Sequence, residues 1–147
     1  VETVKLVLSI TSDINVQNED GMTSIYNACA EGNIDIVKLL LSRNADVNIP
    51  SYFGCTPLGI AVCYGHTAIV ELLLKHHANL ETKDLDGLTP LLYSVKYNNI
   101  NIFELLLKNG VKTDVVDNNL HGFRFYVNPD YTNKYISLMK KYGYSHV

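Results

Sequence analysis

A single interval constrains this chain more than any other feature. Gly21, Gly54 and Gly87 lie 33 residues apart, and so do Thr23, Thr56 and Thr89. The triplets Leu39-Leu40-Leu41, Leu72-Leu73-Leu74 and Leu105-Leu106-Leu107 keep the same step. Ala28 and Ala61 hold it, with Ser94 in the third copy, and Ala45, Ala78 and Val111 hold it further on. Turn residues, caps and apolar triplets recur together, so one structural unit is being copied. Units of this length cannot bury an apolar face alone and gain a core by stacking on their neighbours.

Within each copy the residues spell turn, helix, tight connection, helix, loop. Thr23, Thr56 and Thr89 are placed to cap a first helix by accepting a backbone N–H bond. Pro57 and Pro90 follow two of them, at the first helical position, where no N–H partner is needed. Gly32 and Gly65 end that helix in two copies. Asn98-Asn99 replaces the glycine in the third, and asparagine also tolerates left-handed backbone. Ile36-Val37 with Leu39-Leu40, and Ile69-Val70 with Leu72-Leu73, have the spacing of a buried helical stripe. Ala28 and Ala61 are small where packed helices approach closely.

The second copy runs Phe53-Gly54-Cys55-Thr56-Pro57-Leu58-Gly59-Ile60-Ala61 and then Gly65-His66-Thr67-Ala68-Ile69-Val70-Glu71-Leu72-Leu73-Leu74. It resembles the ankyrin repeat, and the third copy follows with Asp86-Gly87-Leu88-Thr89-Pro90-Leu91. The first departs, with Thr23-Ser24-Ile25 in place of Thr-Pro-Leu, and the family histidine after Pro-Leu is replaced by Tyr26, Gly59 and Leu92. The resemblance implies an all-α fold, an α-solenoid of stacked helix-turn-helix units with hairpin-like loops. It divides a single domain, residues 1–147, into a partial repeat 1–17, full repeats 18–50, 51–83 and 84–116, and a degenerate capping repeat 117–147. Val4-Lys5-Leu6-Val7-Leu8 sits one step before Val37-Lys38-Leu39-Leu40-Leu41, which makes it the second helix of a repeat whose first helix is missing. Its apolar face needs cover, either from further ankyrin repeats N-terminal to residue 1 or from another molecule. After Val116 the Gly-x-Thr turn is lost and Leu120-His121-Gly122 stands in its place, yet Ile136, Leu138 and Gly143 keep the register. Tyr131, Lys134, Tyr135, Lys140, Lys141 and Tyr142 suggest a cap with a wet outer face.

The totals narrow the function. With 47% hydrophobic and 18% charged residues the chain has the means to build a core. A formal charge of −3 argues against a duplex nucleic-acid partner, which wants a basic face. No apolar run of about 18 residues is present, so membrane insertion is not expected, and Glu2 and Lys5 interrupt the first apolar stretch as a secretory signal would not. The three cysteines, Cys29, Cys55 and Cys63, have no disulfide-framework spacing and point to a reducing, cytoplasmic or nuclear compartment.

In the family that the chain resembles, ligands sit on a concave surface made by loop tips and exposed positions of the first helices. Carried over position by position, this implies partner-binding roles for Met22, Glu31, Tyr52, Phe53, Tyr64, Asp86, Leu88, Lys96 and Tyr97. Glu19, Asp20, Ala30, Cys55, Cys63 and Leu85 share that face, with Asn118, Asn119 and His121 in the closing repeat. Aromatic anchors inside a polar rim have the anatomy of a binding hot spot. No cofactor or metal is expected: the cysteines form no C-x-x-C pair, and His66, His76, His77, His121 and His146 lack the spacing of a four-ligand zinc site. No nucleophile, orienting base or phosphate-binding glycine loop is evident, so the chain is not expected to be an enzyme. Asn48 follows a leucine-rich helix end as do ankyrin asparagines that are hydroxylated, although a hairpin asparagine bonding to neighbouring backbone is the favoured account. The expected function is a protein–protein interaction module or scaffold. The alternative is a non-catalytic viral or microbial inhibitor that mimics a host ankyrin protein, in keeping with abundant Asn, Ile, Lys and Tyr. A repeat arm of a larger enzyme is the third reading.

Overall fold

Each capping threonine adopts extended backbone, and its hydroxyl accepts the bond that starts a helix: Thr23 from Tyr26 N, Thr56 from Gly59 N and Thr89 from Leu92 N. All three threonines are buried, so no water replaces these bonds. The helices that result are α1 (Ser24–Glu31), α3 (Pro57–Cys63) and α5 (Pro90–Lys96). Each is followed by a longer partner: α2 (Ile34–Ser42), α4 (Thr67–Lys75) and α6 (Ile100–Lys108). The chain then forms the single turn α7 (Phe123–Tyr126), a 3-10 turn at Pro129–Tyr131 and a last helix, α8 (Thr132–Lys141). The computed structural model describes residues 13–145, and among these there is no strand. The helix expected at Val1–Leu8, its exposed face and any repeat before it lie outside the described residues.

First helices pack on first helices, α1 on α3, α3 on α5 and α5 on α7, while α2, α4, α6 and α8 form a second row behind them. The row closes tightly because Ala28, Ala61 and Ser94 put small side chains at its seam, at 3%, 0% and 0% exposure. A single core runs the length of the stack, from Ile25 and Val37 to Tyr135 and Met139. Nearest-neighbour burial of this kind makes the stability of each repeat depend on its neighbours.

Three ladders of hydrogen bonds step from repeat to repeat. At the tips, Tyr52 N donates to Asp20 O, Leu85 N to Phe53 O and Asn118 N to Asp86 O. Behind the tips, the side chains of Asn15, Asn48 and Glu81 accept from the backbone N–H of Asp46, Asn79 and Lys112, each at 2.8 Å. Between helix pairs, His66 Nε2 lies 3.2 Å from Ala30 O and Asn99 Nδ2 donates to Val62 O at 2.9 Å. His66 is thus held in a structural tie, next to Gly32, where an added Cβ would press on its ring.

The residues after Val116 keep more of the 33-residue pattern than their sequence suggests. The turn read as lost is still made: Leu120 holds φ 64° at the position of Gly87, and Asp117 Oδ1 accepts from Asn119 N and His121 N as Asp84 Oδ1 accepts from Asp86 N and Leu88 N. Tyr131, Lys134, Lys140 and Lys141 are exposed, whereas Tyr135, expected on a wet outer face, is fully buried. Tyr135 stands one step after Ile102 and so inherits a place on the stripe that faces α6. Its ring meets Phe103 edge-on at 4.7 Å, and its hydroxyl escapes the core to bond Asn98 Oδ1 at 3.1 Å. An apolar body with a satisfied polar tip suits an edge position of this kind.

Candidate functional site

The tips and the C-terminal ends of the first helices carry most of the large apolar side chains that the core leaves outside. Tyr52, Phe53, Tyr64 and Leu85 are each more than half exposed, at 64%, 58%, 63% and 66%, and Tyr97 is 49% exposed. The repeat explains their placement. Tyr52 and Leu85 occupy the same tip position, and Tyr64 and Tyr97 each follow the last turn of a first helix as its C-cap. Around them Glu31, Asp86 and Lys96 are exposed, and Met22 is half-buried.

Leu88 does not share this exposure. At 5% it is a core residue, and Cys55 at the equivalent position is also buried. This position lies between the turn glycine and the capping threonine, where Leu88 N is tied to Asp84 Oδ1 and Leu88 O accepts from Asp84 N. The backbone so fixed sends the side chain inward. The sequence reading that placed Leu88 on the binding surface is therefore corrected.

In the third repeat the tip and the helix are joined through a tyrosine. The Tyr93 hydroxyl donates to Asp84 Oδ2, so the carboxylate that builds the tip also fixes the inner face of α5. Burial and that bond push the Tyr93 hydroxyl well above the ordinary tyrosine range. Tyr97 stacks on Tyr93 with ring centroids 6.3 Å apart. Lys96 Nζ lies 5.7 Å from the Tyr97 ring and 6.0 Å from that of Tyr126, bridging α5 and α7. The Tyr126 hydroxyl donates to Asp117 Oδ2, repeating the tyrosine-to-tip arrangement one step on. That bond, opposed by burial and aided by the backbone N–H of His121 and Asn119, holds the Asp117 carboxyl at about 2.

Sequence reasoning missed this pairing. The signal was available as an aspartate followed nine residues later by tyrosine, at Asp84/Tyr93 and again at Asp117/Tyr126. It also missed Phe125, which is 62% exposed and stacks on His121 at 3.6 Å, and Leu120, which is 80% exposed.

Burial favours the protonated form of all three thiols. Burial raises Cys29 and Cys63 to about 12 and Cys55 to about 11. Asn48 is exposed on the ladder behind the tips, its Oδ1 accepting from Asn79 N and its own N–H donating to Asp46 Oδ1. Among the described residues no helix is long and apolar enough to cross a membrane, and no group of three or more His, Cys, Asp or Glu is placed to hold a metal.

Comparison with known proteins adds the family. Among curated proteins no match is found. A family model described as ankyrin repeats (3 copies) matches residues 1–84 and 45–119. Such repeats are in general protein–protein interaction modules, and typically non-catalytic. Capped helix pairs, glycine turns at a fixed step and a family match over most of the length agree: the chain belongs to the ankyrin repeat family.

Proposed function

We propose that this chain is a protein-interaction module that grips its partner with the repeat tips and the ends of the first helices. Tyr52, Phe53, Tyr64 and Tyr97 are the anchors, and Glu31, Asp86, Lys96 and the half-buried Met22 form the rim. The observation that carries this reading is the exposure of several large aromatic side chains along one edge of a stack whose core is otherwise filled. Exposed apolar surface of this kind, ringed by polar groups, marks interaction sites. Residues 1–147 act as one repeat domain in this account, with 117–147 closing it. Asn48 serves as a structural acceptor between repeats, and native protein carrying an added oxygen at Asn48 in a peptide mass spectrum would assign it a modification instead.

The test is affinity purification with the wild-type chain and with the Tyr64→Ala/Tyr97→Ala double variant. Loss of the captured partner with an unchanged melting temperature is the expected result. Undiminished capture by the double variant would remove these residues from the interface.

A further inference from the structure

The exposed charges of this protein are unevenly placed. Glu19, Asp20, Glu31 and Asp86 are exposed on the tips and on the end of a first helix. The second helices and the turns that follow them are mixed, with exposed Lys38, Arg43, Lys75, Lys108, Lys112 and Lys140 beside exposed Asp35, Asp46, Glu71 and Asp114. Asp20 and Asp86 form no ion pair among the described residues. Their backbone N–H groups are used inside the turns, and their carboxylates point to solvent. Around the aromatic edge the exposed carboxylates Glu19, Asp20, Glu31 and Asp86 outnumber the exposed cations Lys83 and Lys96, so the edge is acidic on balance.

The rings along it already receive a cation from within the chain. Lys96 Nζ sits over Tyr97 and Tyr126 at 5.7 and 6.0 Å. Tyrosine faces attract ammonium and guanidinium groups through the ring quadrupole, most strongly when water is displaced. Tyr52, Phe53 and Tyr64 expose rings of the same kind beside Asp20, Asp86 and Glu31. Arginine uses such a setting best, because its planar head stacks on a ring while its donors reach a carboxylate.

We propose that this face takes a basic segment of its protein partner, one that lays arginine side chains on Tyr52, Phe53 and Tyr64 and pairs them with Asp20, Glu31 and Asp86. The proposal rests on the protein-binding reading above and names the chemistry of the partner. Charge complementarity selects this occupant: the same carboxylates repel an acidic segment, a phosphate backbone or an anionic lipid surface. The association is steered by charge and weakens as salt screens it.

The experiment measures fluorescence anisotropy of short labelled peptides of alternating arginine and serine, or glutamate and serine, titrated with the whole chain. The arginine peptide binds and the glutamate peptide does not. Asp20→Lys/Asp86→Lys weakens the arginine peptide about tenfold or more, while Glu71→Lys on α4, an exposed carboxylate of the opposite face, leaves it unchanged. A thermal melt confirms that the reversed variant remains folded. Absence of arginine-peptide binding, or binding indifferent to the tip reversals, would overturn the proposal. The two readings fail separately. A partner that is lost with Tyr64→Ala/Tyr97→Ala but kept, at any salt, by Asp20→Lys/Asp86→Lys contradicts the basic segment alone. A partner kept by both variants contradicts the face itself.

Discussion

Leu120 takes the left-handed backbone, φ 64°, that Gly87 takes one repeat earlier at φ 81°. The two residues have opposite reasons to be there. A Cβ on Gly87 would lie 2.6 Å from Asn118 N, and one on Gly54 2.9 Å from the Asp84 Cα, because the next tip presses on the turn. Leu120, by contrast, is 80% exposed, and no further tip packs on it among the described residues. Left-handed backbone costs a non-glycine residue about 1–2 kcal/mol, and a glycine gains about 0.5–1 kcal/mol of freedom in the unfolded chain. Leu120→Gly is therefore expected to stabilise the protein by up to about 1 kcal/mol in urea unfolding. Gly87→Ala, which adds backbone overlap to the conformational cost, is expected to lose more than about 2 kcal/mol. Gly110→Ala, with open space around its Cβ, should lose only the conformational part.

Tyr135 ties α8 to Phe103 and Asn98. Tyr135→Phe keeps the edge-on contact with Phe103 and loses the bond to Asn98, a change of about 0.5–1.5 kcal/mol. Tyr135→Ala opens a cavity in the core and is expected to cost about 3–5 kcal/mol. An alanine variant within about 1 kcal/mol of wild type would show that residues after Val116 add little to the stack.

Acid should loosen the turn built on Asp117 only at low pH. The folded-state pKa of Asp117 is lowered from 3.8 to about 2, so its stabilisation is complete above pH 3.8 and fades as pH falls through about 2. The carboxyl carbon of Asp117 is expected to titrate near pH 2 in an NMR series. Tyr126→Phe removes the largest cause of the shift and should move that midpoint up towards the ordinary value.

Thiol reactivity follows from burial. With Cys63 at about 12 instead of the usual 9.0, its reactive thiolate at neutral pH is reduced, by roughly a thousandfold. Iodoacetamide should leave all three cysteines of the native protein unmodified over a time in which it alkylates all three in urea. Rapid labelling of Cys63 in the folded chain would contradict the packing described for α3.

Periodicity made the stack legible because each repeat must present the same few groups to its neighbour. The threonine caps, the small seam of Ala28 and Ala61 and the glycine turns were all readable in that way. What periodicity hides is the direction of a side chain at a position that only sometimes matters. Leu88 looked like a surface anchor because the tip surrounds it, yet its turn bonds aim it inward. Tyr135 looked like a wet cap residue because it is a tyrosine near lysines, yet its register places it on the core stripe. The turn at Leu120 was obscured because its glycine is gone, while the Asp117 side chain that organises it remains. The exposed edge was legible in part: Tyr52, Phe53, Tyr64 and Tyr97 stand where the register put them, but Phe125 and the Asp84–Tyr93 tie depend on contacts that no spacing rule singled out.

The most direct test of the binding face is hydrogen–deuterium exchange of the chain alone and with its purified partner bound. The account predicts slower exchange on binding at the tips, residues 18–22, 51–55 and 84–88, and at the ends of α3 and α5, with the outer surfaces of α2, α4 and α6 unchanged. Protection confined to those second helices, with the tips exchanging as fast as in the free chain, would contradict it.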